Sequence, residues 1–174
     1  MRAEHINPFL TSMISVFDTM LGCKLSRGTP YVKNSVQPEH EISGVVGLSG
    51  KAKGVVVLSL SREAALSATE ALLGERPKEI GPEVVDAVGE LTNIVTGNAK
   101  AKLEHLSLSM SLPTIVLGKW HTIEFPNSVL PICIPFDCVW GPVVAMVSLI
   151  EEKIATRISS TTGLVVDPNP VLQN

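Results

Sequence analysis

Aromatic residues make up only 4% of this 174-residue chain, so its core must be assembled from Val, Leu, Ile and Ala rather than around large rings. Cysteine is scarce as well. Cys23, Cys133 and Cys138 are odd in number and form no CxxC, which argues against a disulfide framework and for small reduced thiols. His5, His40, His105 and His121 show no zinc-like spacing, so no metal site is expected on this chain. Lys and Arg are scattered, and the net charge is −3. That balance excludes nucleic acid as the main partner and offers no basic membrane-surface patch. The longest apolar run, near 143–150, is well short of the ~20 residues a spanning helix needs. Glu4, His5 and Asn7 interrupt the N-terminal segment, so it lacks the apolar stretch of a signal peptide. Together these absences predict a soluble, cytoplasmic protein. No Ser-His-Asp set, phosphatase-type cysteine or dinucleotide fingerprint is visible.

What is present describes one globular domain. The chain is 45% apolar, with a mean hydropathy of +0.30, which suits a sizeable core. Residues 1–155 are expected to form the domain, and 156–174, ending in Asp-Pro-Asn-Pro and a short remainder, a peripheral tail. Asn7-Pro8 reads as a cap and first residue of a helix that Gly22 ends. Ile42 to Leu48 and Val55 to Leu60 read as strands joined by a Gly-bounded turn, an antiparallel hairpin rather than a phosphate loop. Ser61 caps a second helix through Leu73, and Gly74 stops it. Tyr31 to Gln37, Thr114 to Leu117, Lys119 to Glu124, Val129 to Phe136 and Cys138 to Ile150 are further strand candidates. Pro131 and Pro135 mark an edge or bulged strand. Segregated helices and strands predict an α+β architecture, with an antiparallel-rich sheet packed against two long helices and one shorter one.

The third helix is the longest, from Pro82 to about Leu106. On a wheel of about 100° per residue, Val84, Val88, Leu91, Val95, Ala99, Lys102 and Leu106 share the side expected to be buried. Asp86, Glu90, Asn93, Gly97, Lys100 and Glu104 lie opposite. Glu90 and Asn93, at i and i+3, stand together. Gly89 and Gly97 lie near this face, although a mid-helix glycine costs roughly 1 kcal/mol relative to alanine.

The array Asp86-x-x-x-Glu90-x-x-Asn93, followed later by Pro113, resembles the phosphatase signature of the CheC/CheX/FliY family. Asn7-Pro8-Phe9, Val16-Phe17-Asp18-Thr19-Met20-Leu21-Gly22, Gly44 to Gly50 and Gly54 to Ser59 resemble its CheX-type members. The resemblance spans about residues 5–155. It implies a homodimeric protein phosphatase that hydrolyses the aspartyl-phosphate of CheY-type response regulators. CheC-type members carry a second acid–amide pair on the first long helix. Here that position offers Glu4-His5-Ile6-Asn7, but Asn7 before Pro8 is expected to cap the helix from outside, which leaves one site per chain.

The resemblance further implies roles. Asn93 would orient the attacking water, and Glu90 would engage a lysine in the regulator's active site, with general base as its competing role. Asp86 would border the partner, or simply favour the positive end of its helix. Gly97 would admit the partner, or relieve packing inside the fold. No cofactor is expected on this chain, and the Mg²⁺ of the reaction belongs to the regulator. A non-enzymatic binding module for a regulator or flagellar switch component is the alternative. A phosphatase acting on receivers outside chemotaxis would present the same helix.

Overall fold

The computed structural model describes residues 3–32, 40–118, 123, 125 and 130–151. Its elements are α1 (Ala3–Leu21), β1 (Ser26–Arg27), β2 (Tyr31–Val32), β3 (Ile42–Ser49), β4 (Ala52–Leu60), α2 (Arg62–Leu73), α3 (Pro82–Ala101), a 3₁₀ turn (Glu104–Leu106), β5 (Ser109–Met110), β6 (Thr114–Leu117), β7 (Ile132–Cys138) and β8 (Gly141–Glu151). All eight strands join one antiparallel sheet. From one edge to the other the order is β1, β7, β8, β4, β3, β5, with β2 also on β7 and β6 also on β3. This is the expected α+β arrangement of two long helices and one shorter one. No helix among the described residues is long and apolar enough to cross a membrane.

Alternation along the strands sorts the side chains between faces. Ile42 and Leu48 of β3, Val56, Leu58 and Leu60 of β4, and Val143, Ala145, Val147 and Leu149 of β8 form one core with the three helices. The opposite face buries Val57, Cys133, Val144 and Met146 with Ile123. Ser43 and Ser59, directly paired across β3 and β4, satisfy each other there through a 3.1 Å hydroxyl contact.

Local chemistry sets most element ends. Ser61 caps α2 by accepting from the Ala64 amide, and Gly74, at φ 80°, closes it in the left-handed region. Arg76 then ties the α2–α3 connection back onto α2 through Ser67, Glu70 and Glu63 at 2.9, 3.0 and 2.8 Å. The β3–β4 hairpin is tighter than expected. β4 begins at Ala52, leaving only Gly50 and Lys51 between strands. Gly54 therefore lies inside β4, where a β-carbon would overlap the Ser148 carbonyl of β8.

Four expectations need correction. α1 begins at Ala3, with Pro8 inside it, so Asn7 is a helical residue and not an external cap. Pro8 lacks the amide that would bond back to residue 4, one turn from the helix start, where the disruption stays local. α3 ends at Ala101, and Lys102 is its exposed C-cap rather than part of the buried stripe. Leu106 is buried, but from the 3₁₀ turn, whose carbonyl accepts from the Lys51 amide at 3.0 Å. Finally, β7 is not an edge strand, since it pairs with β8 on one side and with β1 and β2 on the other, but the register slips by one residue between β1 and β2, a bulge in that neighbouring segment opposite Pro135. Pro135 keeps its carbonyl bonded to the Gly28 amide at 2.9 Å, and neither β1 nor β2 pairs with it in a way that calls for its missing amide. Its amide-less nitrogen faces that same side, at the break between β1 and β2. Most of the candidate strands Lys119 to Glu124 and Tyr31 to Gln37, and the tail 156–174, lie outside the described residues.

All three cysteines are free thiols. Cys23, just after α1, is 2% exposed. Burial, then hydrogen bonding and charge from the neighbouring Cys138, push its thiol up to about 12.

Candidate functional site

α3 is held from both sides. Val84, Val88, Leu91, Val95 and Ala99 face the core, as the wheel predicts. On the α1 side, buried Ser12 donates from its hydroxyl to the Val95 carbonyl at 2.8 Å. On the sheet side, Thr92 donates to the Val88 carbonyl at 2.6 Å, and its side chain sits where a β-carbon on Gly44 would be. Only glycine at 44 lets the helix approach β3 so closely. Gly89 is less crowded: a β-carbon there would make ordinary contact, 3.7 Å from Ile115 and 3.9 Å from Pro113. The proline of the sequence pattern thus packs against the helix at the position just before Glu90.

The remaining face carries the candidate residues. Asp86 and Glu90 are exposed, and Asn93 and Gly97 are half-buried. The intervals of three and four place Glu90, Asn93, Gly97 and Lys100 on one stripe. Asp86 extends the same stripe towards the helix start. The side chains of Asp86, Glu90, Asn93 and Lys100 make no hydrogen bond or ion pair among the described residues, although polar side chains elsewhere on these helices do. A β-carbon on Gly97 would meet nothing within 4 Å. That finding removes internal packing as the reason for this glycine. What the face can do chemically follows: it offers a carboxylate and an uncommitted amide to an incoming surface, with a notch one turn beyond.

The first-helix pair differs. Glu4 and Asn7 both lie on α1 and are exposed. However, Glu4 lies 4.0 Å from the buried His5 Nε2, which in turn contacts Glu151 at 3.1 Å. This carboxylate is engaged at the junction of α1 and β8, whereas that of Glu90 is not. Glu4, His5 and Glu151 are also the one group of three acidic, histidine or cysteine side chains close enough to share an ion among the described residues. No such group involves Glu90 or Asp86.

Two features of the site escape the sequence pattern. Leu112, immediately before Pro113, is 87% exposed. A cavity of about 310 Å³ opens beside Gly97, lined by Lys100, Ala101, Glu104, Leu108 and Met110. Neither is visible in periodicity, since both arise where the chain returns along α3.

Comparison with known proteins bears on the family and the fold. The model of the family described as chemotaxis phosphatase CheX matches residues 42–137. The CheY-P phosphatase CheX of Thermotoga maritima is 29% identical over 122 residues, covering 68% of this chain and 79% of that protein. The crystal structure of a CheC-like superfamily protein from Shewanella sp. PV-4 superimposes with a TM-score of 0.79 at 35% identity, covering 86% of this chain and 99% of the other. The CheX–CheY–BeF3–Mg²⁺ complex of Borrelia burgdorferi shares the fold, with a TM-score of 0.74 at 23% identity over 86% of this chain and all of that one. The matched segment covers more than half of the 174 residues and includes the Asp86–Gly97 stripe and Pro113, so the chain belongs to the chemotaxis phosphatase CheX family.

Proposed function

We propose that this protein hydrolyses the aspartyl-phosphate of a CheY-type response regulator in the cytoplasm, using Glu90 and Asn93. The observation that carries the reading is that these two side chains stand three residues apart on the outer face of α3 with no partner among the described residues. Family membership supplies the reaction class, and the Borrelia complex is of a CheX bound to a CheY.

An acyl phosphate is a reactive mixed anhydride. Hydrolysis needs water in line with the leaving carboxylate oxygen, plus stabilised charge on the transferring oxygens. Water attacks phosphorus, the regulator's aspartate leaves as a carboxylate, and inorganic phosphate is released. Asn93 contributes by position: its amide oxygen accepts a hydrogen bond from the water and holds it on the attack line, and an amide stays neutral throughout. Glu90 docks the partner through a charge-assisted bond to the regulator's active-site lysine, which fixes the register of the two proteins. Asp86 and Gly97 border the partner, and Gly97 leaves its approach open. Mg²⁺ is held by the regulator, where it neutralises phosphoryl charge.

The chain acts as a homodimer in this reading, with one site per subunit. The exposed edge residues Tyr31 and Val32 of β2 and Leu117 of β6 are compatible with sheet-edge association. Sedimentation finding only monomer at micromolar concentration would contradict the dimer. The activity itself is tested by phosphate release from a phosphorylated receiver domain, which native protein is expected to accelerate. Tight binding without acceleration would instead favour a non-enzymatic binding module.

A further inference from the structure

The chain that leaves α3 comes back alongside it. Met110 lines the cavity with Gly97 and Lys100, and Pro113 packs over Gly89. Three strand residues cover about 10 Å, and the eight helical residues from Gly89 to Gly97 cover about 12 Å. Segment 110–113 therefore runs antiparallel to α3 along the stretch that holds Glu90 and Asn93, and Leu112 falls between its two anchor points. Ser111 makes this segment stiff. Its amide donates to the Gly47 carbonyl at 2.9 Å. Its hydroxyl accepts from the Gly47 amide at 3.0 Å and donates to the Leu112 carbonyl at 2.9 Å.

We infer that Leu112 and Lys100 are docking residues for the same phosphorylated receiver domain, flanking the acid–amide pair on two sides. This rests on the proposed function. A single exposed leucine signals nothing by itself, but the backbone of this one is fixed beside an unpartnered polar stripe. A segment whose backbone is already held loses less entropy on binding than a mobile one. Lys100 is a half-buried cation without an ion pair among the described residues, on the same helix face as Glu90 and Asn93. It fits a carboxylate on the receiver surface. The cavity between Lys100 and Met110 gives room for a neighbouring apolar side chain, and methionine adapts to it. The partner therefore presents an apolar patch with an acidic residue about 10 Å from its phosphorylation site, a distance set by the seven helical residues from Asn93 to Lys100.

The test is the steady-state hydrolysis of a phosphorylated CheY-type receiver by the full chain and by its Leu112→Ser and Lys100→Glu variants. Leu73→Ser serves as a matched control, since Leu73 is 61% exposed on α2. Loss of one interfacial anchor raises KM about tenfold. We expect each docking variant to show that rise with kcat kept within about threefold, unchanged thermal midpoints and a native-like control. KM values within twofold of native for both variants, in a protein that does hydrolyse the phosphate, would overturn the inference and leave the proposed function intact. If the native chain shows no hydrolysis, binding of a beryllofluoride-loaded receiver decides: about tenfold weaker binding by both variants supports the docking surface without the phosphatase. Equal binding, or no binding by the native chain, removes it.

Discussion

Thr92 seats α3 on Gly44: the space a β-carbon would need at position 44 is already filled by the Thr92 side chain. Thr92 lies between Leu91, which enters the core, and Asn93, which faces outward. The depth of this contact therefore sets how far Asn93 projects. Gly44→Ala is expected to force the helix outward and to cost about 1–3 kcal/mol, the usual range for overpacking. Urea denaturation measures the loss, and receiver dephosphorylation should fall with it. Native-like stability and rate would mean that this contact does not position the site.

Glu90 is assigned a docking role, and Glu90→Gln separates that role from base catalysis. Loss of a charge-assisted bond should raise KM by about tenfold or more while kcat stays close to native. A large fall in kcat at unchanged KM would identify the carboxylate as a base instead.

Gly97 has open space where its side chain would be. Gly97→Ala should therefore stabilise the fold by about 0.5–1 kcal/mol, because the helix gains an alanine and nothing is displaced. The same change should weaken receiver binding, and Gly97→Leu should weaken it further. A more stable protein that binds as well as native would show that this glycine is not kept for the partner.

Cys23 should be inert in the native state. Its thiol is held up to about 12 by burial and by Cys138, so it remains protonated at pH 8 and reacts slowly with alkylating agents until the chain unfolds. The sign for stability follows. Above its ordinary value of 9.0 the unfolded chain releases this proton while the folded chain keeps it up to about 12. Its contribution is thus complete below pH 9.0 and is lost as pH rises through that window. Rapid modification of Cys23 at pH 8 in folded protein would contradict this environment.

Much of the frame was legible because it is encoded locally. Ser61 and Gly74 bracket α2 through a cap and a left-handed residue, and Thr114–Leu117 follows its β-branched run. The stripe Asp86, Glu90, Asn93 and Gly97 could be read from helical spacing alone. What failed depended on distant partners. Pro8 looked like a helix start, yet α1 extends one turn further, with its buried His5 set against Glu151 of β8. The end of α3 carries no glycine or proline; it is set by the 3₁₀ turn that Lys51 ties down through its amide and its ammonium group. Two-residue strands such as β1 and β5 have no periodicity to read and exist because β7 and β3 offer partners. The alternatives for Gly97 separated only once its surroundings were visible. Leu112 gave no signal at all in the sequence, because an exposed leucine acquires meaning only from its neighbours.

The most direct measurement is the decay of a phosphorylated CheY-type receiver with native protein, with Asn93→Ala, and with Asn7→Ala as a control on the first helix. The account predicts accelerated decay with native protein and with Asn7→Ala. It predicts a loss of about a hundredfold or more in kcat with Asn93→Ala, the scale expected when a positioning group is removed, with stability within about 0.5 kcal/mol of native. Unchanged turnover by a folded Asn93→Ala protein, or equal losses from Asn7→Ala, would contradict the assignment of catalysis to α3.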